Sequence, residues 1–176
     1  MIKLIIGAVV AVVLVVGAFM LLDPAINKNS VADTVEVADT FTYTIEGEVS
    51  KVGTYTLKDA VSLSDLIDAA GGLSSNADDR AFNLTASIKA GETYYIASRF
   101  DASDVCGNSE IAKVNINSDN AETLMSVNGI TSSVASSIVS YRQEKGVFDT
   151  LEDLKQVYGI GEATYRRVRN FVILHE

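Results

Sequence analysis

The sequence has few of the residues on which disulfide frameworks, metal sites and nucleic-acid binding usually depend. It contains one cysteine, one histidine, one proline and no tryptophan in 176 residues. A single cysteine forms no intramolecular disulfide, and the only histidine, His175, gives no metal-ligand spacing or nucleophile triad. Cations are also scarce, because 14 lysines and arginines stand against 23 acidic residues for a net charge of −9. These absences predict neither an enzyme nor a cofactor, and they argue against a general nucleic-acid binder, which needs cations to release phosphate counterions.

Charged and strongly polar residues are missing from Leu4–Leu22. A stretch of this length is sufficient to span the hydrocarbon of a membrane as a helix. Lys3 precedes it, so we expect a single-pass anchor at residues 1–22 with the C-terminal bulk outside the cytoplasm. A cleaved signal peptide is the alternative. Residues 23–40 are polar and without sustained periodicity, which indicates a linker.

Residues 41–100 carry the pattern of a small α+β module. Phe41–Ile45 alternates with period two and Thr54–Leu57 follows as a second strand, while a third strand is expected at 91–96. Between them, apolar residues at helical spacing begin after a Ser62 cap and end at Gly71.

The module resembles the SLBB (soluble-ligand-binding β-grasp) family. The resemblance lies in three stretches: Gly47–Tyr55, Leu66–Leu73 and Gly91 with Tyr94–Ile96. It implies a β-grasp fold without naming a ligand, and Val52 stands where the family often has proline. An interaction or oligomerisation module, using a bare sheet edge, is favoured over a small-molecule site.

Residues 101–112 are predicted to form a second linker. Cys106 lies within it. Its thiol either forms an intermolecular disulfide outside the cytoplasm or has no special role.

The last part of the chain repeats one pattern about thirty residues apart. Gly129-Ile130-Thr131 and Gly159-Ile160-Gly161 each follow a short apolar helix and precede a second one. Capping patterns, Asp119 with Glu122 and Thr150 with Asp153, stand before the two turns at similar offsets. Tight turns of this kind leave backbone amides without intrahelical partners, and such amides receive phosphate oxygens. The alternative is that both turns are purely structural.

This region resembles the helix-hairpin-helix family, and more closely the ComEA-type competence DNA receptors of bacteria. The stretches that carry the resemblance are Val114–Asn117, Ala121–Leu124, Tyr141-Arg142, Gly146–Phe148, Leu151–Leu154 and Gly159–Gly161. The resemblance implies binding of double-stranded DNA at the cell surface and its delivery to an inner-membrane channel. The implied contacts are the amides around Gly129, Ile130, Thr131, Gly159, Ile160 and Gly161.

Thr131 departs from the family pattern, which has a second glycine at that position. A β-branched residue is costly there if the backbone needs positive φ, and acceptable if the residue is a helix cap. We therefore expect the second turn to dominate DNA binding.

The net charge of −9 argues against nucleic-acid binding, but the acidic excess is not spread evenly along the chain. From Ser109 onward, seven basic residues face nine acidic ones, a balance of −2. Arg166, Arg167 and Arg169 lie just after the second turn and Lys155 just before it. These four cations are candidate phosphate contacts, although a solvated helix face would look the same.

The sequence thus predicts a multi-domain protein with three folded parts. They are a transmembrane helix, a β-grasp module at 41–100 and an all-α tandem helix-hairpin-helix domain at 113–176. The predicted function is sequence-independent DNA reception at the membrane, with channel and pilus components as further partners and self-association through the middle module. A polysaccharide-associated or adhesion protein, with the hairpins as a protein-docking domain, is the alternative.

Overall fold

The computed structural model describes residues 40–58, 61–101 and 109–176. The predicted anchor at 1–22, nearly all of the 23–40 linker and Cys106 lie outside these residues. Within the described ranges, no helix combines the length and apolar character needed to cross a membrane.

The middle module is a mixed three-stranded sheet with one helix. Strands β1 (Thr40–Gly47) and β2 (Gly53–Lys58) are antiparallel, and β3 (Thr93–Ile96) runs parallel to β1. The strand order is therefore β2-β1-β3. Helix α1 (Leu63–Ala69) connects β2 to β3 and buries three apolar side chains. The predicted α+β module is confirmed, with a central strand that is antiparallel to one neighbour and parallel to the other.

The ends of α1 follow the sequence signals. The Ser62 side chain accepts a hydrogen bond from the Asp65 amide, and the Ser62 amide donates to the Asp65 carboxylate at 2.8 Å. This reciprocal pair favours the ionised carboxylate, so hydrogen bonds from Ser62 lower the pKa of Asp65. At the other end Gly71 has φ +83°, which allows the chain to leave the helix at once.

The C-terminal module consists of short helices and one small ladder. The helices are α2 (Ala121–Leu124), α3 (Ser132–Glu144), a 3₁₀ helix (Leu151–Gln156) and α4 (Glu162–Val168). Strands β4 (Val114–Asn115) and β5 (Val172–Ile173) pair in parallel and join the two ends of the module. The prediction of an all-α domain was therefore wrong in this detail, because two-residue strands carry no usable sequence period.

One predicted cap is displaced by a residue. Asn120, rather than Asp119, caps α2 by accepting from the Thr123 amide at 2.9 Å. Asp119 instead accepts from the Asn115 amide at 2.8 Å and so fixes the loop after β4. Aspartate and asparagine are equally good N-caps, so only the loop geometry shows that Asn120 takes the role predicted for Asp119.

The two modules pack against each other within one compact unit. Lys113 Nζ lies 2.8 Å from Asp78 Oδ2 of the middle module, and their side chains are 1% and 0% exposed. Residues 109–112 of the predicted second linker also bond to the middle module, since the Ile111 amide donates to the Arg99 carbonyl at 2.9 Å. The modules are therefore joined by buried ionic contacts as well as by the chain.

Candidate nucleic-acid interface

The two glycine turns have the same backbone geometry. Gly129 and Gly159 have φ +112° and +92°, a region that favours glycine. In each turn the following isoleucine is buried, and its amide donates to a valine carbonyl three residues earlier at 3.0 Å. The isoleucine amides are consequently occupied within the protein, so Ile130 and Ile160 anchor the turns from the core side.

The next position of each turn is a helix N-cap. Thr131 has φ −79° and Gly161 has φ −88°, both extended conformations that any residue adopts. Thr131 Oγ1 accepts from the Val134 amide at 3.3 Å. Of the two alternatives that the sequence left open, the cap is the one that the structure shows, and Thr131 causes no backbone strain. Strain at Thr131 is therefore no longer a reason to expect weaker DNA binding at the first turn than at the second.

Four residues of the two turns are exposed or half-exposed and have no backbone acceptor for their amides in the described part of the chain. Among the described residues, no backbone carbonyl accepts from the amides of Gly129, Thr131, Gly159 or Gly161. Gly161 also lacks a capping side chain, so the first amides of α4 are less satisfied than those of α3. The two turns offer hydrogen-bond donors without formal charge.

The two turns lie close together because each packs against the other hairpin. A Cβ atom on Gly159 would come 3.1 Å from Cγ2 of Val134, at the start of α3. A Cβ on Gly129 would come 3.0 Å from Cδ of Arg167 and 3.2 Å from Cγ1 of Val168, on α4. Since the Val134 amide donates to Thr131 Oγ1, the residue that Gly159 contacts is held by the cap of the first turn.

The predicted arginines are used in different ways. Arg167 lays its aliphatic stem along Gly129, and among the described residues no carboxylate pairs with it. Arg166 Nε lies 2.6 Å from Glu162 Oε1, an exposed pair one helical turn apart, and this contact raises the pKa of Arg166. Arg167 is thus the cation placed most directly at the paired turns.

Lys155 and Arg169 face the middle module. Lys155 Nζ lies 3.1 Å from Glu92 Oε2, and Arg169 Nη1 lies 3.2 Å from Glu46 Oε2. The Arg169 guanidinium also stacks 3.7 Å from the centre of the Tyr95 ring. The structure therefore brings these two cations to the module junction, where acidic side chains already neutralise them.

Two features of the interface have no clear signal in the sequence. Glu152 is buried, and its Oε1 accepts from Tyr165 Oη at 2.6 Å and from the Tyr95 amide at 2.8 Å. Burial raises the pKa of this carboxyl to about 7, although both hydrogen bonds oppose the shift. Tyr158, in the second turn, leaves 85% of its surface exposed beside Gly159. Glu152 and Asp153 lie between Leu151 and Leu154, a pattern typical of a solvated helix face. Only the packing against β3 shows that Glu152 is buried.

A buried ionic cluster at the junction was also absent from the sequence predictions. Burial opposes ionisation of Asp78, but hydrogen bonds from Arg80 and Lys113 lower its pKa to about 2. Lys113 Nζ additionally donates to the Ser98 carbonyl at 2.6 Å. Lys113 is one of the seven basic residues from Ser109 onward, and its 1% exposure removes it from any surface.

Comparisons with known proteins match both modules. Residues 109–173 match the helix-hairpin-helix motif, and residues 42–97 match the SLBB domain. ComE operon protein 1 of Bacillus subtilis (strain 168) is 31% identical over 162 residues, which cover 85% of this chain and 79% of that protein. Endonuclease/exonuclease/phosphatase family domain-containing protein 1 is 47% identical in Bos taurus and 43% identical in Homo sapiens, over 60 residues that cover 34% of this chain and 10% of each relative.

The fold and the paired turns define this chain as an SLBB-domain protein with a tandem helix-hairpin-helix module. The match to the eukaryotic relatives covers only a tenth of their length and carries nothing of their remaining domains. The chain belongs to the family of ComE operon protein 1, as its identity and coverage show. The family resemblance inferred from the sequence is confirmed.

Proposed function

We propose that this protein is a receptor for double-stranded DNA in competence, and that it holds the duplex by the phosphate backbone. The observation that carries the proposal is the pair of adjacent turns with unsatisfied amides at Gly129, Thr131, Gly159 and Gly161. Amides in such turns bind phosphate oxygens without reading bases, so binding is independent of sequence. Membership in the ComE operon protein 1 family supports the assignment to competence.

Arg167 supplies the charge in this arrangement. Its stem contacts the first turn and its position on α4 places it after the second, so one guanidinium serves both. Arg166 adds a second cation at the exposed face, shared with Glu162. We expect both turns to contribute and the second to contribute more, because Thr131 caps α3 whereas Gly161 offers no side chain to the first amides of α4.

The remaining parts of the proposal concern location and partners. Residues 1–22 serve as a single-pass anchor, with the described modules outside the cytoplasm, because Leu4–Leu22 is long, apolar and preceded by Lys3. The protein has no catalytic role of its own and passes DNA to an inner-membrane channel, with pilus components as further partners. Strand β2 is an edge of the three-stranded sheet, which suits association with a second copy.

A DNA mobility-shift assay with one glycine variant tests the proposal. At Gly161 an added Cβ would have no atom within 4 Å apart from its chain neighbours, and the φ of −88° is one that valine adopts, so Gly161→Val should retain the fold. We expect this variant to lose binding to duplexes of two unrelated sequences. Ser75→Val, an equally branched addition on the exposed surface of the middle module, is the matched control and should bind normally.

Unchanged binding by Gly161→Val would contradict the assignment of phosphate contacts to the turns. Failure of the wild-type chain to shift either duplex at low salt would contradict DNA reception itself. Binding of a polysaccharide, together with no shift of either duplex, would favour the alternative of a polysaccharide-associated or adhesion protein.

A further inference from the structure

A small cavity lies where the two modules meet, directly beside the second turn. Its volume is about 150 Å³. Three basic side chains and three acidic ones converge on it: Lys155, Arg166 and Arg169, with Glu46, Glu92 and Glu162. Because Glu162 follows Gly161 in the chain, the cavity adjoins the amides that are proposed to hold phosphate.

Each cation of the cavity is paired with one carboxylate. Two of the three pairs cross the junction, Lys155 with Glu92 at 3.1 Å and Arg169 with Glu46 at 3.2 Å. In both, the middle module provides the acid and the hairpin module provides the base. The carboxylates thus occupy the place that an anion from outside would take.

The cations are held in position more firmly than their acidic partners. The Arg169 side chain is 20% exposed and stacks on Tyr95 at 3.7 Å, and Lys155 is 28% exposed and lies over the Tyr165 ring at 5.3 Å. Glu46 and Glu92 are 43% and 45% exposed. Partly exposed ion pairs contribute little to stability, so these two carboxylates can turn to solvent without disturbing the fold.

We propose that this cavity is a second phosphate site, which receives a backbone phosphate of the duplex held at the second turn. Glu46 and Glu92 occupy it in the absence of DNA and are displaced when a phosphodiester binds to Arg169 and Lys155. The middle module therefore lowers the affinity for DNA through these two carboxylates. The inference rests on the proposed function and adds a second phosphate site, at which Glu46 and Glu92 compete with the DNA phosphate.

The test is the double variant Glu46→Gln/Glu92→Gln in the full-length chain. Glutamine keeps the size and hydrogen-bonding oxygen of each side chain but frees the charge of its basic partner. We expect duplex affinity, measured by fluorescence anisotropy, to rise several-fold. The plot of log affinity against log salt should become steeper by roughly 1 unit, because one phosphate contact contributes about 0.9 and displaced carboxylates no longer offset it.

A charge-matched control separates the cavity from general electrostatics. Asp68→Asn/Asp79→Asn changes the net charge by the same amount at exposed positions that form no ion pair among the described residues. This control should leave the salt slope close to that of the wild type. Equal slopes for the two double variants would overturn the inference.

The cation side of the cavity gives a second measurement. Lys155→Gln removes one of the two proposed phosphate ligands, so it should weaken DNA binding in both backgrounds. The loss should be several-fold larger in the glutamine double variant, because in the wild type the release of Glu92 offsets part of the contact. Thermal melts establish that each variant is folded, and Lys155→Gln leaves the Arg169 stack on Tyr95 intact. An equal effect of Lys155→Gln in both backgrounds would overturn the competitor role. Loss of binding by Gly161→Val together with unchanged slopes would refute the cavity and leave the proposed function standing.

Discussion

The two glycines of the second turn are predicted to differ sharply in their effect on stability. Gly159 has φ +92°, and a Cβ there would lie 3.1 Å from Cγ2 of Val134. Placing alanine at positive φ costs about 1–2 kcal/mol, and crowding a packed valine adds about 1–2 kcal/mol. Gly159→Ala should therefore lower the free energy of unfolding by about 2–4 kcal/mol.

Gly161→Ala is the matched change two residues away. Its φ of −88° is extended, and no atom lies within 4 Å of a Cβ built there. The expected loss is only about 0.5–1 kcal/mol, from replacing glycine by alanine at an N-cap. The two variants carry the same added methyl group in the same turn, so the difference between them isolates backbone strain and contact with α3.

Urea denaturation followed by circular dichroism measures this difference. For a domain of this size, the larger loss corresponds to a thermal midpoint lowered by roughly 6–12 °C. Equal stabilities for the two alanine variants would refute the assignment of different roles to the two glycines. A larger loss at Gly161 than at Gly159 would show that the N-cap position, rather than the positive-φ position, supports the fold.

Three further predictions concern charge and capping. Lys113→Met should reduce the free energy of unfolding by about 3 kcal/mol in urea titrations, because it leaves Asp78 buried with one partner fewer; a loss below about 1 kcal/mol would contradict this. Burial raises the folded pKa of Glu152 to about 7 from an ordinary value of 4.5, so stability should fall by roughly 3 kcal/mol between pH 4.5 and 7 and then level off. Glu152→Gln should abolish that decline in melts across this range, and equal pH profiles would exclude the buried carboxyl as its source. Thr131→Ala should cost about 1 kcal/mol through loss of the cap on the Val134 amide, whereas Thr131→Ser should cost less, as parallel melts would show.

Local signals in the sequence were sufficient for the elements and for the turns. The Ser62 cap, the glycine that ends α1 and the repeated glycine turns are decided by neighbouring residues, and the structure has them where the sequence predicts them. The family resemblance rests on the same local stretches. The question of Thr131 was also decidable in principle, because a threonine before a helix is a common cap.

Contacts between the modules could not be predicted in this way. Lys155 and Arg169 lie beside the second turn in sequence and look like phosphate ligands, yet their partners Glu92 and Glu46 are 63 and 123 residues away. Nothing in the period of a helix indicates which distant carboxylate will pack against it. The assignment of these two cations as candidate DNA contacts therefore depended on treating the modules as separate.

The joined modules also explain how an acidic chain can hold a polyanion. Most donors at the paired turns are backbone amides, which carry no formal charge and release few counterions from DNA. With Lys155 and Arg169 neutralised inside the protein, Arg167 and Arg166 remain as the cations of the exposed face. Such an interface gives a shallow salt dependence and modest affinity for each molecule. In the proposed arrangement, many anchored copies would act together along one duplex, so weak contacts that release readily would be sufficient for capture and would favour transfer to the next component.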